Sequence, residues 1–333
     1  MRHSVAPKGA TMNRLAPLIA IALAGSVLAV FAGVSLTESA ATTPGRNGRI
    51  VYAQEVRGTF QLFTIRSNGT ARAKLGDLTG EAVHPDWSPD GTKVVFQLDH
   101  PHGPAPFCAV ELMNADGTGL TDLTGVRTGC EGQPAFTPDG QRIVFVRFDD
   151  AADVESIQSM DLTGGDRRLV TGTKGSGRTD PNVSPDGNWI TFIRIKKEGE
   201  LHAVFAVHPD GSGLHQVTPF RWEVAIKHDW SPNGKRIVLT TNADFVRPRK
   251  SANLVTIRPD GSGLKRLTRF AGGEHAKNAF AGSYSPDGRR IVFRLEKHDK
   301  AALATIGRDG RHLRLLTEFR KNKPRYIDWG TAR

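Results

Sequence analysis

The chain has 333 residues, 38% hydrophobic and 24% charged, a composition ordinary for a soluble globular protein. Two cysteines exclude a disulfide scaffold and a Cys-rich zinc protein. The net charge of +11 is uneven, because residues 232–333 carry 23 Lys/Arg against 9 Asp/Glu, which favours contact with anionic lipid, anionic polysaccharide or an acidic protein.

In chain order, Arg2, Lys8 and Arg14 precede an apolar run from Leu15 to Val34, and Ser39-Ala40-Ala41 follows. A basic start, an apolar core and a small-residue exit predict an export signal over residues 1–41, with an uncleaved membrane anchor as the alternative. No Cys follows the run, which argues against a lipoprotein anchor. Residues 42–46 read as a short linker, and residues 47–333 as one repeat array.

The array is organised by one turn. Trp87-Ser88-Pro89-Asp90-Gly91 returns as Phe136-Thr137-Pro138-Asp139-Gly140, Val183-Ser184-Pro185-Asp186-Gly187, Trp230-Ser231-Pro232-Asn233-Gly234 and Tyr284-Ser285-Pro286-Asp287-Gly288. The prolines lie 49, 47, 47 and 54 residues apart, and each turn leads into β-branched residues such as Val94-Val95-Phe96. Pro presets φ, Asp bonds its own backbone and Gly supplies positive φ. A period in the forties with one strand–turn–strand signature per copy predicts a radial β array.

The first full copy divides into inner strand a (Val83–Ser88), b (Lys93–Leu98), c (Ala109–Asn114) and outer strand d (Gly119–Leu123). Inner strands end near Trp87, Phe136, Val183, Trp230, Tyr284 and Trp329. The chain opens with a b strand at Ile50 and closes with an a strand at Trp329, so the expected fold is all-β: a six-bladed β-propeller with four antiparallel strands per blade. Its ring would be closed by the C-terminal strand joining the N-terminal blade. The aromatic residues ending the inner strands are expected to be buried between blades.

The repeated Trp-Ser-Pro-Asp-Gly signature resembles that of the TolB-type β-propeller family, over residues 47–330. The resemblance implies a periplasmic or extracellular platform that binds proteins or ligands. It differs in one respect: TolB has a separate N-terminal α/β domain, for which this chain offers no room.

The a–b and c–d turns share one rim and are nearly uniform. The b–c and d–a loops form the other rim and vary, which makes that rim the expected binding face for a protein or anionic ligand. Near its channel mouth, His84, Asp180, Lys227, His228, His275, Arg325 and Tyr326 are candidate ligand-binding residues. Asp86, Asn182, Asp229 and Asp328 are hard oxygen donors and weak candidates for a cation, though satisfying strand-end amides explains them better. No nucleophile elbow, zinc helix or phosphate loop occurs, so no catalytic residue and no cofactor is expected.

Cys108 and Cys130 read as lying in two loops of the variable rim, just before strands c and a, and are expected to form a disulfide in an oxidising compartment. The functional expectation is a monomeric, exported, non-catalytic binding platform, secreted, periplasmic or in the cell envelope. Nucleic acid is not an expected partner, and a membrane is one only if residues 1–41 are retained. The alternatives are a channel-mouth lyase or hydrolase acting on an anionic carbohydrate, and the ectodomain of a membrane-anchored sensor.

Overall fold

Each Pro-Asp-Gly turn closes through the same short bonds. Ser88 Oγ donates to Asp90 Oδ1 at 2.6 Å and accepts from the Lys93 N–H at 2.9 Å. The same pair recurs at Ser184, Ser231 and Ser285, and Gly91, Gly140, Gly187, Gly234 and Gly288 all take φ of 65–71°. These turns launch the strands of a computed structural model that describes residues 42–100, 107–125, 129–149, 154–174, 177–196, 201–241, 251–273 and 276–332. All of these residues lie within a single compact unit, Glu38–Arg333.

The strands form an all-β propeller. Four sheets have four strands each. One is ordered Gly177–Val183, Ile190–Lys196, Leu201–Val207 and His215–Gln216; the next begins at Val224–Trp230 and ends at Lys265–Arg266; a third runs from Lys277–Tyr284 to Arg314–Leu315. In the fourth, the C-terminal strand Arg325–Thr331 pairs antiparallel with Asn47–Val56, in the register Ile50↔Trp329 and Val51↔Asp328. The two ends of the array thus share a sheet, which removes the free edge.

The remaining strands correct the expectation of six separate four-stranded blades. Two successive repeats, from Glu81–Trp87 to Arg168–Lys174, form one eight-stranded sheet. The cause is a parallel pairing between Phe107–Asn114 and Gly129–Phe136, at Phe107↔Gly129 and Cys108↔Cys130. Both cysteines therefore lie inside strands rather than in loops. They form a disulfide with Cα atoms 4.5 Å apart, which fastens the two strands where they meet.

The core lies between sheets. Trp87, Phe136, Trp230, Tyr284 and Trp329 are all buried, each at the foot of an inner strand. Gly330 is part of this packing, because a Cβ there would come within 2.5 Å of the Trp87 indole. The ring of Trp87 occupies the space that a side chain at 330 would need.

Candidate functional site

The inner strands are irregular at one repeated place. Their pairing slips between Val83 and Asp86, Gly132 and Ala135, Thr179 and Asn182, Val224 and His228, and Ala281 and Tyr284. A bulge re-aims a side chain and bends the strand. At the bulges stand His84 (φ 50°), Gln133 (52°), Asp180 (54°) and Lys227 (117°), and Tyr326 (51°) occupies the same place in the closing strand. Left-handed backbone at a non-glycine residue costs on the order of 1–3 kcal/mol and persists only where the surroundings impose it. Proline follows His84, Gln133 and Asp180. It has no N–H to lose from the ladder and suits a bulge.

These five side chains surround the channel. Above them lies a cavity of about 720 Å³ that reaches Glu223 and Pro324 of two d–a loops, with His84, Gln133, Lys227 and Tyr326 at its floor and His202, Glu223, Phe280, Arg294 and Arg325 in its walls. Lys227, Arg294 and Arg325 outnumber Glu223, so the cavity is basic. Arg294 lies over the Phe280 ring at 4.2 Å, and His84 packs on Tyr326 with ring centroids 3.8 Å apart. Below the floor the channel narrows to a void of about 10 Å³ among His84, Asp86, Asp180, Asn182 and Lys227, room for about one water.

Two positions further along, the inner strands are stitched together. Asp86 Oδ2 accepts from the Phe136 N–H at 2.8 Å, Asp229 Oδ2 from the Tyr284 N–H at 2.7 Å and Asp328 Oδ2 from the Trp87 N–H at 2.9 Å. Asn182 Nδ2 donates to the His228 carbonyl at 3.1 Å. The bulge residues also reach sideways: Gln133 Oε1 accepts from the Asp180 N–H at 2.6 Å, and Asp180 Oδ2 from the His228 N–H at 3.0 Å.

The electrostatics follow from crowding four carboxylates around one ammonium. Burial first, then Asp328, pushes Asp229 up to about 7. The same two causes hold Asp86 well above the carboxylate range. Burial would also raise Asp180, but Lys227 and His228 outweigh it and bring it down to about 2. Burial would depress Lys227, yet Asp180, Asp328, Asp86 and Asp229 together raise it. His84 is pushed down to about 4 by burial, with Lys227 adding to the effect, and is neutral at pH 7.

Of the residues singled out in the sequence, His84, Lys227, Arg325 and Tyr326 line the cavity, and Asp180 lies just beneath it. His228 does not line either space. It is fully buried, its Nε2 lies 2.8 Å from Thr191 Oγ1, and its Nδ1 lies 3.0 Å from Asp180 Oδ2 but off line for a hydrogen bond. His275 lies outside the described residues. Asp86, Asp229 and Asp328 each direct an oxygen at a neighbouring backbone N–H, and among the described residues no group of three or more His, Cys, Asp or Glu is arranged to hold a metal.

Gln133, which holds the same place in its repeat as His84 and Asp180 and is likewise followed by proline, joins them at the channel. Phe280 and Arg294 line the cavity and were not singled out. Thr42 was also missed: it is buried, and its hydroxyl donates to Asp229 Oδ2 at 2.7 Å.

The model of the TolB beta propeller domain family matches residues 109–330. An uncharacterised protein of Agrobacterium fabrum is 32% identical over 112 residues, which are 31% of this chain and 37% of that protein, so the chain matches little more than a third of this relative's length. The crystal structure of TolB from Acinetobacter baumannii superposes with a TM-score of 0.66 at 18% identity, over 86% of this chain and 67% of that one. The oligogalacturonate lyase of Vibrio parahaemolyticus does so with a TM-score of 0.50 at 14% identity, over 73% of this chain and 71% of that one. At these identities both structures show likeness of fold alone.

Proposed function

Because this chain belongs to the TolB beta propeller family, we propose that it is an exported, non-catalytic binding propeller whose basic cavity on the varied rim takes an anionic ligand or an acidic protein segment. The carrying observation is the cavity itself: about 720 Å³, floored by strained bulge residues and walled by Lys227, Arg294 and Arg325. Strain of this kind clusters where a protein holds something else. A pocket of this size suits a small ligand or the end of a chain.

Binding is favoured over turnover because two acceptors at and just beneath the floor, which a general base would need free, are already in use. Gln133 Oε1 and Asp180 Oδ2 each accept from a neighbouring backbone N–H, and His84 stacks on Tyr326. Export is supported by the basic, apolar and small-residue order of residues 1–41 and by the Cys108–Cys130 disulfide, a bond that persists in oxidising compartments.

Calorimetric titration with penta-glutamate and with trigalacturonate tests the reading. Saturable binding of one of them, weakened at least about tenfold by Arg325→Glu and by added salt, is the expected result. A probe consumed to an unsaturated or hydrolysed product would replace the reading with a lyase or hydrolase. Binding of neither probe would overturn the anionic cavity.

A further inference from the structure

The narrow half of the channel holds more carboxyl groups than its one ammonium can keep ionised. Asp86, Asp180, Asp229 and Asp328 converge there against Lys227 alone, each of them near enough to act on its ammonium. Asp180 is the carboxylate that Lys227 and His228 hold charged. Asp86, Asp229 and Asp328 remain, crowded against one another.

Into this end runs the chain that follows the export segment. Gly45 N–H donates to the Pro286 carbonyl at 3.1 Å, and Asn47 and Asp287 exchange two bonds of 3.1 Å, so the segment crosses the uniform rim beside the Tyr284–Gly288 turn. In this segment Thr42 lies inside, 2% exposed, its hydroxyl 2.7 Å from Asp229 Oδ2, an oxygen that also accepts from Ser283 Oγ and the Tyr284 N–H. Covalent geometry keeps a residue's own backbone nitrogen within about 4 Å of its hydroxyl oxygen. The nitrogen of Thr42 is therefore close to the crowded carboxyl groups. Thr42 also directly follows Ser39-Ala40-Ala41.

We propose that Thr42 is the first residue of the mature protein and that its new α-ammonium is captured by the carboxylates of Asp86, Asp229 and Asp328, so that removal of the export segment completes the charge balance of the channel. The inference rests on the export reading above. In the step, a signal peptidase adds water across the Ala41–Thr42 amide: the C–N bond breaks, Ala41 leaves as a carboxylate and Thr42 gains the protons of an ammonium. An amide nitrogen at that place carries no charge. An ammonium there stands beside three carboxyl groups and favours their ionised forms, and its three donors suit carboxylate oxygens.

The test has two stages. The full chain is exported from a bacterial host and its product sequenced from the N-terminus, with Thr42 expected first. Chains released by a fusion protease to begin at Thr42 or at Ala40 are then melted, each as wild type and as Asp229→Asn, which keeps an acceptor for the Tyr284 N–H. The Thr42 chain is expected to melt about 4 °C or more above the Ala40 chain, and Asp229→Asn to remove most of that gap. A product that keeps residues 1–41 overturns the export reading and this inference together. A product that begins at another residue, or equal melting of the two wild-type chains, overturns the capture alone.

Discussion

At the foot of the inner strands, Asp86, Asp229 and Asp328 lie in a crowded, narrow channel and each holds a neighbouring strand by its backbone N–H. Two residues earlier, His84, Lys227 and Tyr326 lie at left-handed bulges under an open cavity. Both sets are polar, both face the axis, and both recur with the repeat. They differ in what their atoms already do. The aspartates are committed to the scaffold, so exchanging one strands a buried donor, whereas the bulge residues present groups to a space that a ligand can fill. Commitment of hydrogen-bonding atoms, rather than residue type, separates framework from site here.

Cutting the ring is the most severe way to break that comparison, because scaffold and cavity should fail together. Truncation after Lys323 removes the strand that carries both Asp328 and Tyr326, and its thermal melt by circular dichroism is expected to lose cooperativity. Trp329→Ala is expected to cost about 3–5 kcal/mol in urea unfolding, since the indole is fully packed. Reducing the Cys108–Cys130 bond, which closes a separation of 22 residues, is expected to cost about 3 kcal/mol by the chain-entropy argument. Thiol titration of the unfolded, non-reduced protein should find no free thiol.

The smaller effects sharpen the contrast. Asp229→Ala leaves the Tyr284 N–H and the Thr42 hydroxyl without their acceptor, at an expected cost of about 1–3 kcal/mol. The pH profile carries the sign of the crowding in the chain that keeps residue 41. An acid held at about 7 in the folded state, against about 4 in the unfolded one, loses stability as pH rises from about 4 to about 7, and Asp229→Asn should flatten that limb. Asp180, held at about 2, works the other way, and its contribution is lost as pH falls from about 4 towards 2. Arg325→Ala should change stability by less than about 0.5 kcal/mol, because the side chain is exposed, and yet weaken binding of the anionic probe.

Much of this was legible in the sequence because turn chemistry is local. The Ser–Pro–Asp–Gly pattern specified the a–b turns, and the succession of strand-like stretches the strand order within each repeat and the joining of the C-terminal strand to the first one. The seam between two repeats was not legible, since a parallel contact between Phe107–Asn114 and Gly129–Phe136 depends on how two sheets lean together. For the same reason Cys108 and Cys130 paired as expected while sitting in strands rather than loops. Of the candidate residues, His84, Lys227 and Tyr326 fell at the cavity because a bulge recurs with the repeat. His228, one residue beyond its bulge, turns into the wall instead, and an alternation rule broken by a bulge could not foresee that. Thr42 gave no local signal, because its burial is set by strands more than 180 residues away.

The sheet shared by the two ends of the array also sets a schedule. Val51 pairs with Asp328, so the strand Asn47–Val56 leaves the ribosome long before its partner exists. Asp328 lies 277 residues after Val51, a stretch that takes roughly 14–55 s to make at about 5–20 residues per second. Throughout that interval one edge of the first sheet is open, next to the buried positions of Ile50 and Tyr52. An open apolar edge invites pairing with other chains. The nascent protein is therefore exposed to pairing with its neighbours until the strand Arg325–Thr331 arrives.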